Sequence, residues 1–191
     1  MTKLTVGMAA LAAAMLVQVS ACDRAGPEAE PSAAAEKGGE LPTLGSVVAS
    51  APSLSTFATA LKDAELDKAL DGAAPYTVLA PTNAAFASLG PAAAELKKPE
   101  RREAVADMIR EHVIPGYLTP DEIETSMARQ GGKPVTMRTA GEGQVTFAKH
   151  GDGLTITGSN GREARIAGAT LRAGNGAAIP IDTVLQTLPG A

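Results

Sequence analysis

Cysteine and aromatic residues are scarce in this chain of 191 residues, and their scarcity excludes several kinds of site. One Cys and two His are too few ligands for a structural zinc site. Trp is absent and aromatic residues make up only 3%, whereas hydrophobic residues make up 45%. The core must therefore be built mainly from Leu, Val, Ile and Ala.

Clustered positive charge and catalytic motifs are also missing. The formal net charge is −4 and the basic residues form no long block, which argues against a nucleic-acid partner and against electrostatic docking to anionic lipid. The chain has no Walker or dinucleotide glycine pattern and no G-x-S-x-G elbow. We therefore expect no cofactor and no enzymatic activity, although a carboxylate pair assembled in space stays open as an alternative.

The first residues have the layout of an export signal. Lys3 precedes an apolar run from Leu4 to Val17, followed by small residues up to Ala21, so residues 1–21 are predicted to be a signal peptide. The run is shorter than the roughly 20 residues that span a bilayer comfortably. An uncleaved anchor is the alternative.

The run Val19-Ser20-Ala21-Cys22 resembles the bacterial lipobox, in which the Cys becomes the lipidated first residue. Ordinary cleavage after Ala21 is the alternative, and it would leave an odd reactive thiol on an exported protein. We expect a periplasm-facing lipoprotein anchored to a membrane through Cys22, with the cell surface and secretion as further alternatives. Asp23 resembles an inner-membrane retention residue, but that rule does not transfer reliably between bacteria.

Residues 23–40 contain Pro, Gly, Glu, Ala and Ser and nothing large and apolar. Such a segment cannot bury enough surface to offset the entropy lost on ordering. Together, residues 22–40 are predicted to be the lipidated Cys and a disordered tether. A domain is predicted over residues 41–191.

The stretch from Tyr76 to Leu89 is predicted to form a central strand and the helix that follows it. Tyr76 to Leu79 favour a strand, and Pro81 cannot donate to a sheet ladder, so the strand should stop there. Thr82 can cap a following helix, on which Phe86 and Leu89 share a face. The polar hinge Pro81-Thr82-Asn83 thus joins a strand directly to a short helix.

Apolar spacing of three and four residues predicts helices on both sides of this strand. A capping box with Pro at its first helical position predicts a further helix from Thr119. From Lys133 onwards, alternating residues and glycine turns predict an antiparallel meander. Its expected strands are Val135–Arg138, Val145–Ala148, Leu154–Thr157, Arg165–Leu171 and Ala177–Leu188.

Three segments resemble those of fasciclin-like domains, in the family's order. The first matches at Thr77, Val78, Ala80, Pro81, Thr82, Asn83, Ala85 and Phe86. The second matches at His112, Val113, Pro115, Gly116, Leu118 and Thr119, and the third at Asn175, Gly176, Ile181, Asp182, Val184 and Leu185. The resemblance implies a single α+β domain of short helices packed on a twisted antiparallel β-sandwich or wedge.

Two departures concern a conspicuous histidine. Glu111 stands where the family has Tyr before His112, and Ile179 replaces a His in the tail. The family's Tyr-His pair is where partner recognition has been placed in animal members. We expect His112 to be a buried, hydrogen-bonded side chain whose partner is Asp182, Asn83 or water.

The resemblance implies adhesion to protein or glycan partners at the cell envelope, without catalysis of a reaction. The predicted contact patch is the run of exposed loop residues Glu111, His112, Val113, Ile114, Pro115, Gly116 and Tyr117.

The matched residues with a predicted structural role are Pro81, Thr82, Asn83, Phe86, Asn175, Gly176 and Asp182. We expect Asn83 and Asp182 to hold backbone turns through local hydrogen bonds. Joint substitution of Glu111 and Tyr117 should weaken partner capture and leave the melting curve unchanged. A periplasmic small-ligand binder is the alternative.

Overall fold

A computed structural model describes residues 41–151 and 153–187. The predicted signal peptide (1–21), the lipidation site at Cys22 and the predicted tether (23–40) lie outside the described residues. The same holds for Leu188 and Pro189, which the sequence placed at the end of the last strand.

Helices dominate the first half of the described chain and strands the second. The helices are α1 Leu44–Ser50, α2 Ser55–Asp63, α3 Asp67–Leu70, α4 Asn83–Ala87, α5 Ala92–Glu95, α6 Arg102–Arg110 and α7 Pro120–Arg129. Single 3₁₀ turns at Pro52–Leu54 and Pro99–Arg101 lead into α2 and α6. The strands are β1 Tyr76–Pro81, β2 Val113–Pro115, β3 Val135–Arg138, β4 Gln144–His150, β5 Gly153–Thr157, β6 Glu163–Arg165, β7 Leu171–Ala173 and β8 Gly176–Ile181.

The predicted helix starts at Thr82 and Thr119 are confirmed in atomic detail. The Thr82 side chain accepts a hydrogen bond from the Ala85 amide at 3.3 Å, which fixes the start of α4 directly after β1. At α7, Thr119 and Glu122 form the reciprocal capping box, and Pro120 fills the first helical position. Both helices thus begin where the chain leaves the first sheet.

The first sheet has the strand order β2-β1-β8-β7. Its two central strands, β1 and β8, run parallel, with Leu79 opposite Ile179. Every residue of β8 is buried, as is every residue of β1 except Tyr76. Strands covered on both faces carry apolar residues throughout, and parallel pairs are typically covered in this way.

The second sheet is an antiparallel meander with the order β3-β4-β5-β6. Burial alternates along β3 and β4, so that Val145 and Phe147 are buried while Gln144 and Thr136 face away from the core. Along β5, Leu154, Thr155 and Ile156 are all buried. This confirms the first three strands of the meander predicted from the spacing of apolar residues and glycine turns, whereas the last predicted strand, Ala177–Leu188, corresponds to β8 of the first sheet.

Two apolar cores lie on opposite faces of the first sheet. The helical core joins α1, α2, α4 and α6 to Val78 and Ala80, and the rings of Phe57 and Phe86 stack in it at 6.5 Å. The inter-sheet core joins Leu79 to the second sheet and α7; its other members include Ile123, Met127, Phe147, Ile156, Ile179 and Ile181. Because neighbouring residues of β1 point to opposite faces, one strand supplies both cores.

The predicted α+β class is confirmed, with three differences inside the sheets. The β1–β8 pair is parallel, whereas the sequence predicted antiparallel neighbours. The predicted strand Arg165–Leu171 is wrong, because β6 ends at Arg165 and β7 begins at Leu171. Between them the chain crosses from the second sheet to the first, where the Ala167 amide donates to the Pro180 carbonyl. The last strand likewise ends at Ile181 rather than Leu188.

No single helix in residues 41–151 and 153–187 is both long and apolar enough to cross a membrane. The segments Leu44–Ser50 and Pro52–Asp63 reach that length and hydropathy only as a pair bent by 95°.

Candidate functional site

Asn83, in the predicted hinge, holds the start of α2. Its side-chain oxygen accepts a hydrogen bond from the Thr56 amide at 2.9 Å, and its nitrogen donates to the Pro52 carbonyl at 2.9 Å. Ser55 completes the cluster at 3.0 Å. The residues joined lie 27 to 31 positions apart, so the expected local turn is replaced by a long-range contact.

Asn175, in the turn between β7 and β8, makes contacts of still longer range. Its oxygen accepts from the Leu44 amide at 2.7 Å, and its nitrogen donates to the carbonyls of Leu70 at 2.7 Å and Gly72 at 2.6 Å. At Gly176, an added Cβ would collide with the Tyr76 carbonyl. These two residues therefore join the tail of the domain to its first and third helices.

Asp182 connects the tail to the second sheet. Its carboxylate accepts a hydrogen bond from the Arg165 amide at 2.8 Å, and its own amide donates to the Arg165 carbonyl at 3.0 Å. Seventeen residues separate the pair, so this contact is also not the local turn that the sequence predicted.

His112 is fully buried at the end of α6, and both ring nitrogens are hydrogen-bonded. Nδ1 lies 2.8 Å from the Met108 carbonyl, and the Leu185 amide donates to Nε2 at 3.0 Å. A carbonyl only accepts, so Nδ1 carries the proton and Nε2 is the acceptor. The partners are backbone groups, and neither Asp182 nor Asn83 takes the place of the missing tail His.

Burial governs the protonation of this imidazole. Desolvation lowers the pKa of His112 to about 4, against smaller opposing effects of the Met108 carbonyl and of the charge of Glu111. The ring is therefore neutral at pH 7, and neither nitrogen is free to exchange a proton with a substrate.

The predicted contact patch divides into a buried and an accessible part. His112, Val113 and Ile114 are buried, and the last two belong to strand β2 rather than to a loop. Pro115 is exposed, Glu111 and Gly116 are half-buried, and the Tyr117 side chain is 39% exposed. The accessible surface of the patch is therefore the turn Pro115-Gly116-Tyr117, with Glu111 set apart from it.

Glu111 holds the turn between β3 and β4. Its carboxylate accepts hydrogen bonds from the Gly143 amide at 2.9 Å and the Thr139 hydroxyl at 3.0 Å. A Cβ at Gly141 or Gly143 would collide with this carboxylate, which explains two of the glycines in that turn. The residue in the family's Tyr position thus joins α6 to the second sheet, and no feature of the sequence indicated this.

Two open grooves could accept a small molecule. The larger, about 570 Å³, lies between α2, α4 and α5 and includes Phe86, Leu96, Asp63 and Lys97 in its lining. The second, about 440 Å³, is more polar and borders Glu111 and Gln186. Across the described ranges, no group of three His, Cys, Asp or Glu side chains is placed to hold a metal ion.

Comparison with known proteins identifies a family model and a solved structure that this chain resembles. Residues 52–187 match the family model of the fasciclin domain. Protein sll1483 of Synechocystis sp. strain PCC 6803 is 34% identical over 109 residues, which are 56% of this chain and 60% of that protein. The chain thus spans about three fifths of this relative.

Among solved structures, the FAS1 domain pair from the insect cell adhesion molecule fasciclin I is similar with a TM-score of 0.66. The match covers 77% of this chain and 51% of that one, at 14% identity. At this identity, the likeness concerns the fold alone.

Proposed function

This chain belongs to the fasciclin domain family, and from that premise we propose that it is a binding module of the cell envelope that holds a partner without changing it chemically. Proteins and glycans are the partner classes considered. The structural relative is named a cell adhesion molecule, which supports an adhesive role.

The observation that carries this proposal is the preorganised turn Pro115-Gly116-Tyr117. The Thr77 hydroxyl donates to the Gly116 carbonyl at 2.8 Å and accepts from the Leu118 amide at 2.8 Å. The Gly116 amide donates to the Pro75 carbonyl at 2.9 Å, and its φ of +108° suits glycine alone. A turn fixed before binding loses little entropy on binding, and an exposed Tyr is a typical anchor.

The other matched polar side chains support the same assignment by exclusion. Hydrogen bonds to the protein's own backbone are made by the side chains of Asn83, Asn175, Asp182 and His112. These side chains build the scaffold, whereas the exposed residues Pro115 and Tyr117 of the second matched segment are accessible to a partner.

Photocrosslinking in the intact envelope tests this function. The full chain is expressed in its own host with p-benzoylphenylalanine in place of Tyr117 or, as control, of Thr136, which is exposed on the second sheet. We expect a saturable crosslinked species from position 117 and none from position 136. Equal products from both positions would contradict the proposal.

We further propose that the mature protein begins at a lipidated Cys22, which would hold the domain at a periplasm-facing membrane. The lipobox resemblance and the lone Cys support this. Mass spectrometry of the mature N-terminus tests it, and an unmodified Cys22 would contradict it.

A small-ligand binder is the second candidate, because the groove between α2 and α4 falls within the usual 300–1,000 Å³ range of ligand sites. Native mass spectrometry of protein isolated from its host tests this. An Ala87→Trp variant, which places bulk in the groove lining, should lose any co-purifying molecule.

A further inference from the structure

An apolar notch of about 150 Å³ lies at the edge of the helical core, beside the proposed contact turn. Buried Leu61, Leu70 and Val113 line its inner part. Exposed Ala69 and half-buried Arg110 lie at its mouth.

The notch results from the way the first sheet ends. Strand β2 is the edge strand and has only three residues, and the neighbouring helix α3 has only four. Helices this short cannot cover the sheet edge completely. Tyr76, which also lines the notch, is opposite Pro115 in the β1–β2 register, so the notch lies close to the turn that carries Tyr117.

Size and charge decide what such a notch can hold. Its volume is below the roughly 300 Å³ at which free small-ligand sites begin, but it suits one large side chain anchored by a bigger partner. At the mouth, one guanidinium nitrogen of Arg110 pairs with Asp107 at 2.6 Å. The remaining donors of the fork suit a second carboxylate.

We propose that the notch receives a single leucine- or phenylalanine-sized side chain of a protein partner, and that Arg110 pairs with an acidic residue beside that anchor. This inference rests on the proposed binding function and narrows the partner from protein or glycan to protein. The apolar side chains of Leu61, Leu70 and Val113 offer no hydrogen-bond partner to the hydroxyl groups of a glycan.

The first test maps the occupant directly. The full chain carries p-benzoylphenylalanine at Lys68, an exposed α3 residue beside the notch that does not line it, or, as control, at Ala84, an exposed helical residue that lines no cavity described above. We expect position 68, but not position 84, to give a crosslink at or within two positions of a Leu, Ile, Met or Phe that has an Asp or Glu within two positions. A crosslink to a residue without an acidic neighbour, or to polysaccharide, would overturn the inference.

The second test fills the notch. Ala69→Leu should reduce the yield of the Tyr117 crosslink at least about tenfold, as expected when a buried anchor is blocked. Ala84→Leu should leave that yield unchanged, and circular dichroism checks that both variants fold. Arg110→Gln should reduce the yield about threefold to tenfold, by loss of one charge pair.

The outcomes separate this inference from the function on which it rests. If position 117 crosslinks a partner but Ala69→Leu has no effect, the binding function stands and the notch assignment is wrong. If neither position 117 nor position 68 crosslinks anything, both are wrong.

Discussion

The helical half and the second sheet are held together in different ways. In the second sheet, consecutive strands pair through short turns, and apolar residues fill one face. In the helical half, Asn83 and Asn175 join backbone segments that lie 27 to 131 residues apart. The matched residues Asn83 and Asn175 make the second kind of contact, so a sequence match at these two positions indicates how the fold closes rather than what it binds.

The largest effect is expected in the inter-sheet core. Phe147→Ala should lower the free energy of unfolding by about 3–5 kcal/mol, because it leaves a cavity at a fully buried ring. Urea unfolding followed by circular dichroism measures the loss. A loss below about 1 kcal/mol would mean that this half does not depend on its apolar packing.

Asn175→Ala should cost about 2–4 kcal/mol, since it removes three hydrogen bonds and leaves part-buried backbone groups at the ends of two helices unpaired. Asn160→Ala is the matched control. Asn160 is exposed and accepts only the local Arg162 amide, so about 0.5–1 kcal/mol is expected. Equal losses at the two positions would remove the distinction between long-range and local contacts.

His112 should make stability depend on pH. Its pKa is about 4 in the folded protein and near 6.5 when unfolded, so the unfolded chain binds more protons between these values. The free energy of unfolding should therefore fall by about 2 kcal/mol from pH 7 to pH 5, and further towards pH 4. Urea titrations at the two pH values measure this. A flat profile would show that His112 is not buried as a neutral ring.

Glu111→Gln should cost about 1 kcal/mol, because the amide retains one acceptor oxygen for the Gly143 amide but loses the charge. This replaces the expectation that joint substitution of Glu111 and Tyr117 leaves the melting curve unchanged. Thermal unfolding of the single variants separates the two residues. An unchanged melting temperature for Glu111→Gln would show that the β3–β4 turn holds without this carboxylate.

Local rules were sufficient for much of the fold. The helix start at Thr82, the capping box at Thr119 and the alternation along β4 follow from side chains within a few positions. The parallel pairing of β1 with β8 does not, because its partners lie 100 residues apart in sequence.

The candidate site was predictable only in outline. The segment containing Tyr117 was predicted as the contact patch and stays a prediction, and the sequence did not show that Val113 and Ile114 point into the two cores. The Leu185 partner of His112 and the role of Glu111 depend on where distant loops meet. Each contact of this kind is fixed by tertiary packing, which leaves no local pattern.

The most direct test compares the free energies of unfolding of Tyr117→Ala and Asn175→Ala in one urea series. If the exposed turn serves binding and the polar residues serve the scaffold, Tyr117→Ala should lose less than about 0.5 kcal/mol, as expected for a surface site. Asn175→Ala should lose about 2–4 kcal/mol. A loss at Tyr117 equal to or greater than that at Asn175 would contradict the account.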